Sequence, residues 1–132
     1  MLTSYDDIWS TFMDNCKTSS LNLPRTNEGM YKAINNASKL FNNRLRADLK
    51  CDDEKESINK LLNDDELLIL ANYIRLVFLR NEKTFHETLF QPFSKDIGVK
   101  NYTTQVKNLE SSVSDQERVI DMLIMNTEED FL

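Results

Sequence analysis

Residues 67–81 read LLILANYIRLVFLRN, a run that places apolar side chains on almost every side of a helix. On a wheel turning 100° per residue, Leu67, Leu70, Ile74, Val77, Phe78, Phe85 and Leu89 gather into one sector, the expected face toward a core. Asn72, Arg75, Lys83 and His86 mark the opposite sector, yet Leu68, Ile69, Leu76 and Leu79 fall inside it. Two arrangements would accommodate those four. The helix could be central and wrapped by its own chain, or its second face could meet another molecule. Burying each such side chain contributes about 1.5–3 kcal/mol, enough together to drive association. Arg75 and Arg80 favour the second arrangement, because a guanidinium buried by its own chain needs a partner. The expectation is that this second face meets another copy of the chain or a different protein.

Outward from this helix, Asp64 or Asp65 is the expected N-cap, and Pro92 ends the helix after Phe90 by pushing the preceding residue out of helical geometry. The following stretch, PFSKDIGVKN, reads as a connector. A long last helix then runs from about Tyr102 to Met125, where Tyr102, Val106, Leu109, Val113, Gln116, Ile120 and Leu123 alternate steps of four and three. That is a heptad seam of about 30 Å, interrupted by a single polar Gln. A short acidic tail is expected over about 126–132, ending in Phe131 and Leu132. It would be either a frayed terminus or a peptide ordered by a partner.

Toward the N-terminus, Tyr5, Ile8, Trp9, Phe12, Met13 and Cys16 form an amphipathic helix capped by Ser4, with Asp6 and Asp7 at the positive end of its dipole. A second helix is predicted from Thr26 to about Arg46, with Met30, Ala33, Ile34, Ala37, Leu40, Phe41 and Leu45 on its apolar face. Residues 47–63 read as a solvated acidic loop, with Ile58, Leu61 and Leu62 as a short helical turn or hydrophobic latch.

The expected fold is therefore all-α: a single domain over residues 1–132, a bundle of about four helices with a long C-terminal one. The chain has 132 residues, a length that forms one core without crosslinks. Two Gly and two Pro are too few to punctuate a β-sandwich or barrel. A net charge of -6 opposes non-specific adhesion to DNA or anionic membranes. No run reaches the roughly 20 apolar residues of a membrane span, and MLTSYDDIWS lacks the basic start of an export signal. Cys16 and Cys51 are accordingly expected to be free thiols.

Chemistry is sparse. Cys16, Cys51 and His86 show no zinc-ligand spacing. The acids at 52–54 and 64–66 sit where a loop and a helix start call for them. CDDEKESINKLL lacks the glycine and alternating oxygen ligands of a calcium loop. Two glycines leave no phosphate-cradling loop, and no nucleophile elbow or Cys–His signature is present. An enzyme is not expected, and neither is a cofactor. A basic stripe at Arg44, Arg46 and Lys50 is the candidate for contact with a DNA backbone. It lacks interleaved aromatics, so sequence-specific reading is not expected. A solvated helix end, whose cations suit the C-terminal dipole, is the simpler account of it.

Taken together, FNNRLRADLKCDDE, DDELLILANYIRLVFLRN, and PFSKDIGVKNYTTQV leading into a long last helix resemble the head–tail connector, or neck adaptor, proteins of long-tailed bacteriophages and prophages. The order of elements, a short aromatic first helix, a second ending in NNRLR, an oily third and a long fourth, is also similar. The resemblance implies a structural virion protein, assembled in the host cytoplasm into a cyclic homo-oligomer at the head–tail junction. Its subunits can stay monomeric until they meet the portal. It implies portal and tail or stopper proteins as partners, DNA passing without sequence-specific binding, and no membrane. Subunit contacts would then fall on Leu68, Ile69, Leu76 and Leu79, with Arg75 and Arg80 paired to a neighbour's acids. Ile97, Val99, Phe131 and Leu132 would face portal or tail partners. A net negative charge suits a conduit that must not grip the DNA sliding through it. The alternative is a small regulatory interaction module that binds one partner through its C-terminal helix.

Overall fold

The computed structural model describes residues 2–16, 24, 26–90 and 99–130, without the side chains at 86, 88–90, 99–103, 105 and 128–130. The elements run β1 (Thr3–Ser4), α1 (Tyr5–Asn15), α2 (Asn27–Leu45), β2 (Cys51–Asp52), β3 (Ser57–Ile58), α3 (Asp64–Phe90) and α4 (Val99–Asp130). The described part is mostly helical, as expected, with a long C-terminal helix and one very small sheet.

Each of α1, α2 and α3 starts where a polar side chain satisfies a free backbone donor. Ser4 accepts from the Asp7 N–H at 3.1 Å and Thr26 from the Gly29 N–H at 3.1 Å. For α3 the cap is Asn63, not Asp64 or Asp65. Its side-chain oxygen accepts from Glu66 N at 2.8 Å, while the Glu66 carboxylate accepts from Asn63 N at 3.3 Å. The reciprocity is that of a capping box, which the two aspartates concealed in the sequence. Helix α2 closes on Arg46 in the left-handed conformation, φ 55°.

The stretch expected to be a loop, 47–63, instead makes a β-hairpin. Strand β3 is the centre of the sheet, antiparallel to both β1 and β2, with Thr3 and Cys51 both opposite Ile58. Three side chains account for it. Asn42 bonds both the N–H and the C=O of Leu49, at 2.8 and 3.0 Å, and so turns the chain out of α2. Asp52 accepts from the N–H groups of Glu54 and Lys55, folding the tip. The Thr3 hydroxyl accepts from Leu62 N at 2.8 Å and donates to the Lys60 carbonyl at 2.6 Å. Ile58 and Leu62 are buried by this hairpin and Leu61 is exposed. Strands of two residues leave almost no alternation to detect in sequence.

Helix α3 is the axis of the domain. It packs on α1, α2 and most extensively α4. Against it lie Ile8 and Phe12 of α1, Ile34, Ala37 and Phe41 of α2, and Ile120 and Ile124 of α4. The Trp9, Phe12 and Phe78 rings meet at centroid distances of 5.0–6.3 Å, tilted or edge-on as aromatic quadrupoles prefer. Phe85, placed on the core face from its spacing, is exposed. Cys16 and Cys51 are free thiols.

Helix α4 runs antiparallel to α3. Residues near 69 on α3 lie beside residues near 124, those near 72–76 beside 116–120, and Lys83 beside Glu110. It begins three residues before Tyr102 and continues through Asp130, so most of the expected acidic tail is helical.

Candidate interaction surface on the last helix

The second oily face of α3 is where the structure departs most from the expectation. Ile69 is 1% exposed and Leu76 2%, both covered by α4 of the same chain. Leu68 and Leu79 are half-buried. The two arginines pair internally as well: Arg75 Nε donates to Gln116 Oε1 at 3.1 Å, and Arg80 meets the Glu117 carboxylate at 3.3 Å. The wrapped arrangement therefore describes this helix. Its physical reason is the path of α4, whose Ile120 and Ile124 pack over Leu76 and Ile69. Of the residues expected at a subunit interface, Ile69 and Leu76 are covered by the chain itself, Leu68, Leu79 and Arg75 are half-buried, and Arg80 is exposed.

The heptad seam of α4 is spent in the same contact. Gln116, Ile120 and Ile124 are buried against α3, and Val113 and Leu123 pack beside them. Asn72, expected on the wet side, is buried with Gln116. Of the other expected partner contacts, Ile97, Phe131 and Leu132 lie outside the described residues. Val99 opens α4, and its side chain also lies outside them.

What α4 leaves outward is a different stripe. Val119, Met122 and Met125 follow at intervals of three on the face away from α3, and all are exposed, Met122 at 64%. Arg118 and Asp115 flank them and pair with each other at 3.6 Å. Methionine is unbranched and polarizable, so such a stripe adapts to a partner's shape. The signal was present in the sequence, one helical face away from the more regular heptad.

A cleft of about 440 Å³ opens near the same end of α4, lined by Leu45, Lys60, Glu66, Ile69, Ile124 and Thr127. A smaller one of about 230 Å³ lies between α2, α3 and α4, where Arg44 and Arg80 approach Tyr73. There burial raises the Tyr73 phenol, and the nearby Arg44 partly offsets this. In the basic stripe, Arg44 faces Asp121 at 3.8 Å and Lys50 faces Asp48 at 3.9 Å, both exposed, while Arg46 is the left-handed C-cap of α2. No group of three or more His, Cys, Asp or Glu suited to a metal occurs among the described residues. Nor is any described helix long and apolar enough to cross a membrane.

These features define a small helical domain, organised around one central helix and presenting an apolar stripe on its last. The chain belongs to the YomZ prophage protein family, whose model matches residues 1–129. It is 49% identical over 131 residues to the SPbeta prophage-derived protein YomZ of Bacillus subtilis (strain 168), a match covering 99% of this chain and 100% of that one. No solved structure matches. A prophage origin follows from the family.

Proposed function

We propose that the protein is a structural adaptor of a phage particle, acting at the head–tail junction by binding neighbouring proteins rather than by catalysis. The observation that carries this reading is the outward Val119–Met122–Met125 stripe on a helical domain of a prophage protein family. Three exposed apolar side chains aligned on one helix face are costly to leave in water, and a partner surface relieves that cost. The resemblance of the helix order to neck adaptors supports the same role, with portal and tail or stopper proteins as partners and a ring of copies as the assembled form. In this reading the contacts move from α3 to α4, since α3 is occupied within the subunit. The net charge of -6 suits a component close to passing DNA.

The experiment is deletion of the gene from an inducible prophage, followed by electron microscopy of the lysate and mass spectrometry of purified particles. Full heads and free tails that fail to join, together with the protein's presence in wild-type particles, are expected. Normal particles from the deletion strain would overturn the reading.

A second reading, a regulatory module that binds one partner through α4, is favoured by the same stripe. It predicts that the protein stays absent from purified particles and that virions form normally without it.

A further inference from the structure

The seam between α3 and α4 has a repetitive apolar pattern with, among the described residues, one buried polar residue from each helix, and the two meet. Gln116 is 6% exposed and Asn72 8%. The Gln116 side-chain amide donates to both the Asn72 backbone carbonyl at 3.0 Å and the Asn72 side-chain oxygen at 2.9 Å. Its own oxygen accepts from Arg75 Nε at 3.1 Å, and the Asn72 amide donates to the Leu68 carbonyl at 2.8 Å. Each heavy polar atom of the two amides thus has a partner in this alignment.

We infer that the Asn72–Gln116–Arg75 cluster sets the register in which α4 docks on α3. The apolar positions do not distinguish alignments well. Val106, Leu109, Val113, Ile120 and Leu123 recur at steps of three and four, so sliding α4 by one turn again places apolar on apolar. Only the polar pair changes its environment. After such a slide Gln116 would face Leu68 and Ile69 or Leu76, and Asn72 would face an apolar α4 residue. Gln116 would be buried without its three bonds, the Asn72 side-chain oxygen would lose its donor while its amide keeps the Leu68 carbonyl, and the Arg75 Nε–H would lose its acceptor. The cluster lies near the middle of the described α3–α4 contact, where water cannot repair a mismatch. The flanking pairs Arg80–Glu117 and Lys83–Glu110 reinforce the same alignment but are largely exposed and contribute little. The register decides where α4 presents Val119, Met122 and Met125 relative to the rest of the domain. The inference itself does not depend on what binds there.

The test is a spin-label distance measurement between Thr84→Cys and Ser114→Cys, both exposed, in a chain carrying Cys16→Ala and Cys51→Ser. The native pair should give one narrow distance. Asn72→Leu with Gln116→Leu should melt higher yet show a second, resolved distance, from molecules in which α4 has slid along its axis by about 5.4 Å, one helical turn. A single unchanged distance in that variant would overturn the inference. Should the leucine variant not fold, the exchanged pair Asn72→Gln with Gln116→Asn decides. One narrow distance supports the cluster, and a broadened distribution with both amides present refutes it.

Discussion

The hydroxyl of Thr3 accepts a hydrogen bond from the backbone N–H of Leu62 at 2.8 Å, joining positions 59 residues apart, and donates to the Lys60 carbonyl beside it. One buried side chain thereby ties the first strand to the segment that leads into the central helix. Thr3→Val keeps the shape and removes the hydroxyl, leaving both backbone groups without that partner. Urea denaturation should show a loss of about 1–3 kcal/mol. A change below about 0.5 kcal/mol would mean that water replaces both bonds.

Tyr31 donates to the Glu56 carboxylate at 2.7 Å, and that hydrogen bond is the main cause of its phenol being pushed from 10.0 up to about 12. Tyr5, buried and donating to Asp53 at 2.6 Å, shifts in the same direction. A raised folded-state value means the native state holds its proton more tightly than the unfolded chain does. The stabilisation is complete below pH 10 and is lost as pH rises toward 12. Tyrosinate absorbance should show Tyr31 ionising about two units late, and Tyr31→Phe should flatten the fall in stability over that window.

Gly29 sits in the first turn of α2, where a Cβ would lie 2.8 Å from Pro24 Cβ. Helix propensity alone predicts that Gly29→Ala gains about 1 kcal/mol. The clash with a rigid ring opposes that gain, and thermal denaturation should show the variant melting lower than the native protein.

Ile124→Ala should cost about 2–5 kcal/mol, because the side chain fills the space between α4 and α3. Met122→Ser with Met125→Ser should change stability by less than about 0.5 kcal/mol, since both project outward. The second pair should nonetheless abolish incorporation into phage particles, measured by mass spectrometry. Equal incorporation would separate the stripe from function.

Cys16 is buried with its sulfur 3.7 Å from the Ala71 carbonyl, and burial pushes its thiol up despite the nearby Arg75. Cys51 is half-buried. Thiol titration with a chromogenic disulfide should label Cys51 first and Cys16 only as the protein unfolds.

By itself, the sequence determined the helices and most of the inner faces of α1 and α2. Periodicity is a local property, so Tyr5, Ile8, Phe12 and Cys16 of the first stripe and Ala33, Ile34, Ala37 and Phe41 of the second were readable and are buried, while Met13, read into the first stripe, is exposed. Composition likewise excluded a large sheet. Tertiary structure alone decided what meets what. Leu76 and Ile69 have the same sequence pattern whether a neighbour or the chain's own α4 covers them, and only the path of α4 settles which. The hairpin at 51–58 is held by Thr3, which bonds Lys60 and Leu62, 57 and 59 residues away, a separation that no local window contains. Asn72 reads as a wet residue until Gln116 arrives to satisfy it. Burial of a polar group is a property of the pair, and pairs form only in three dimensions.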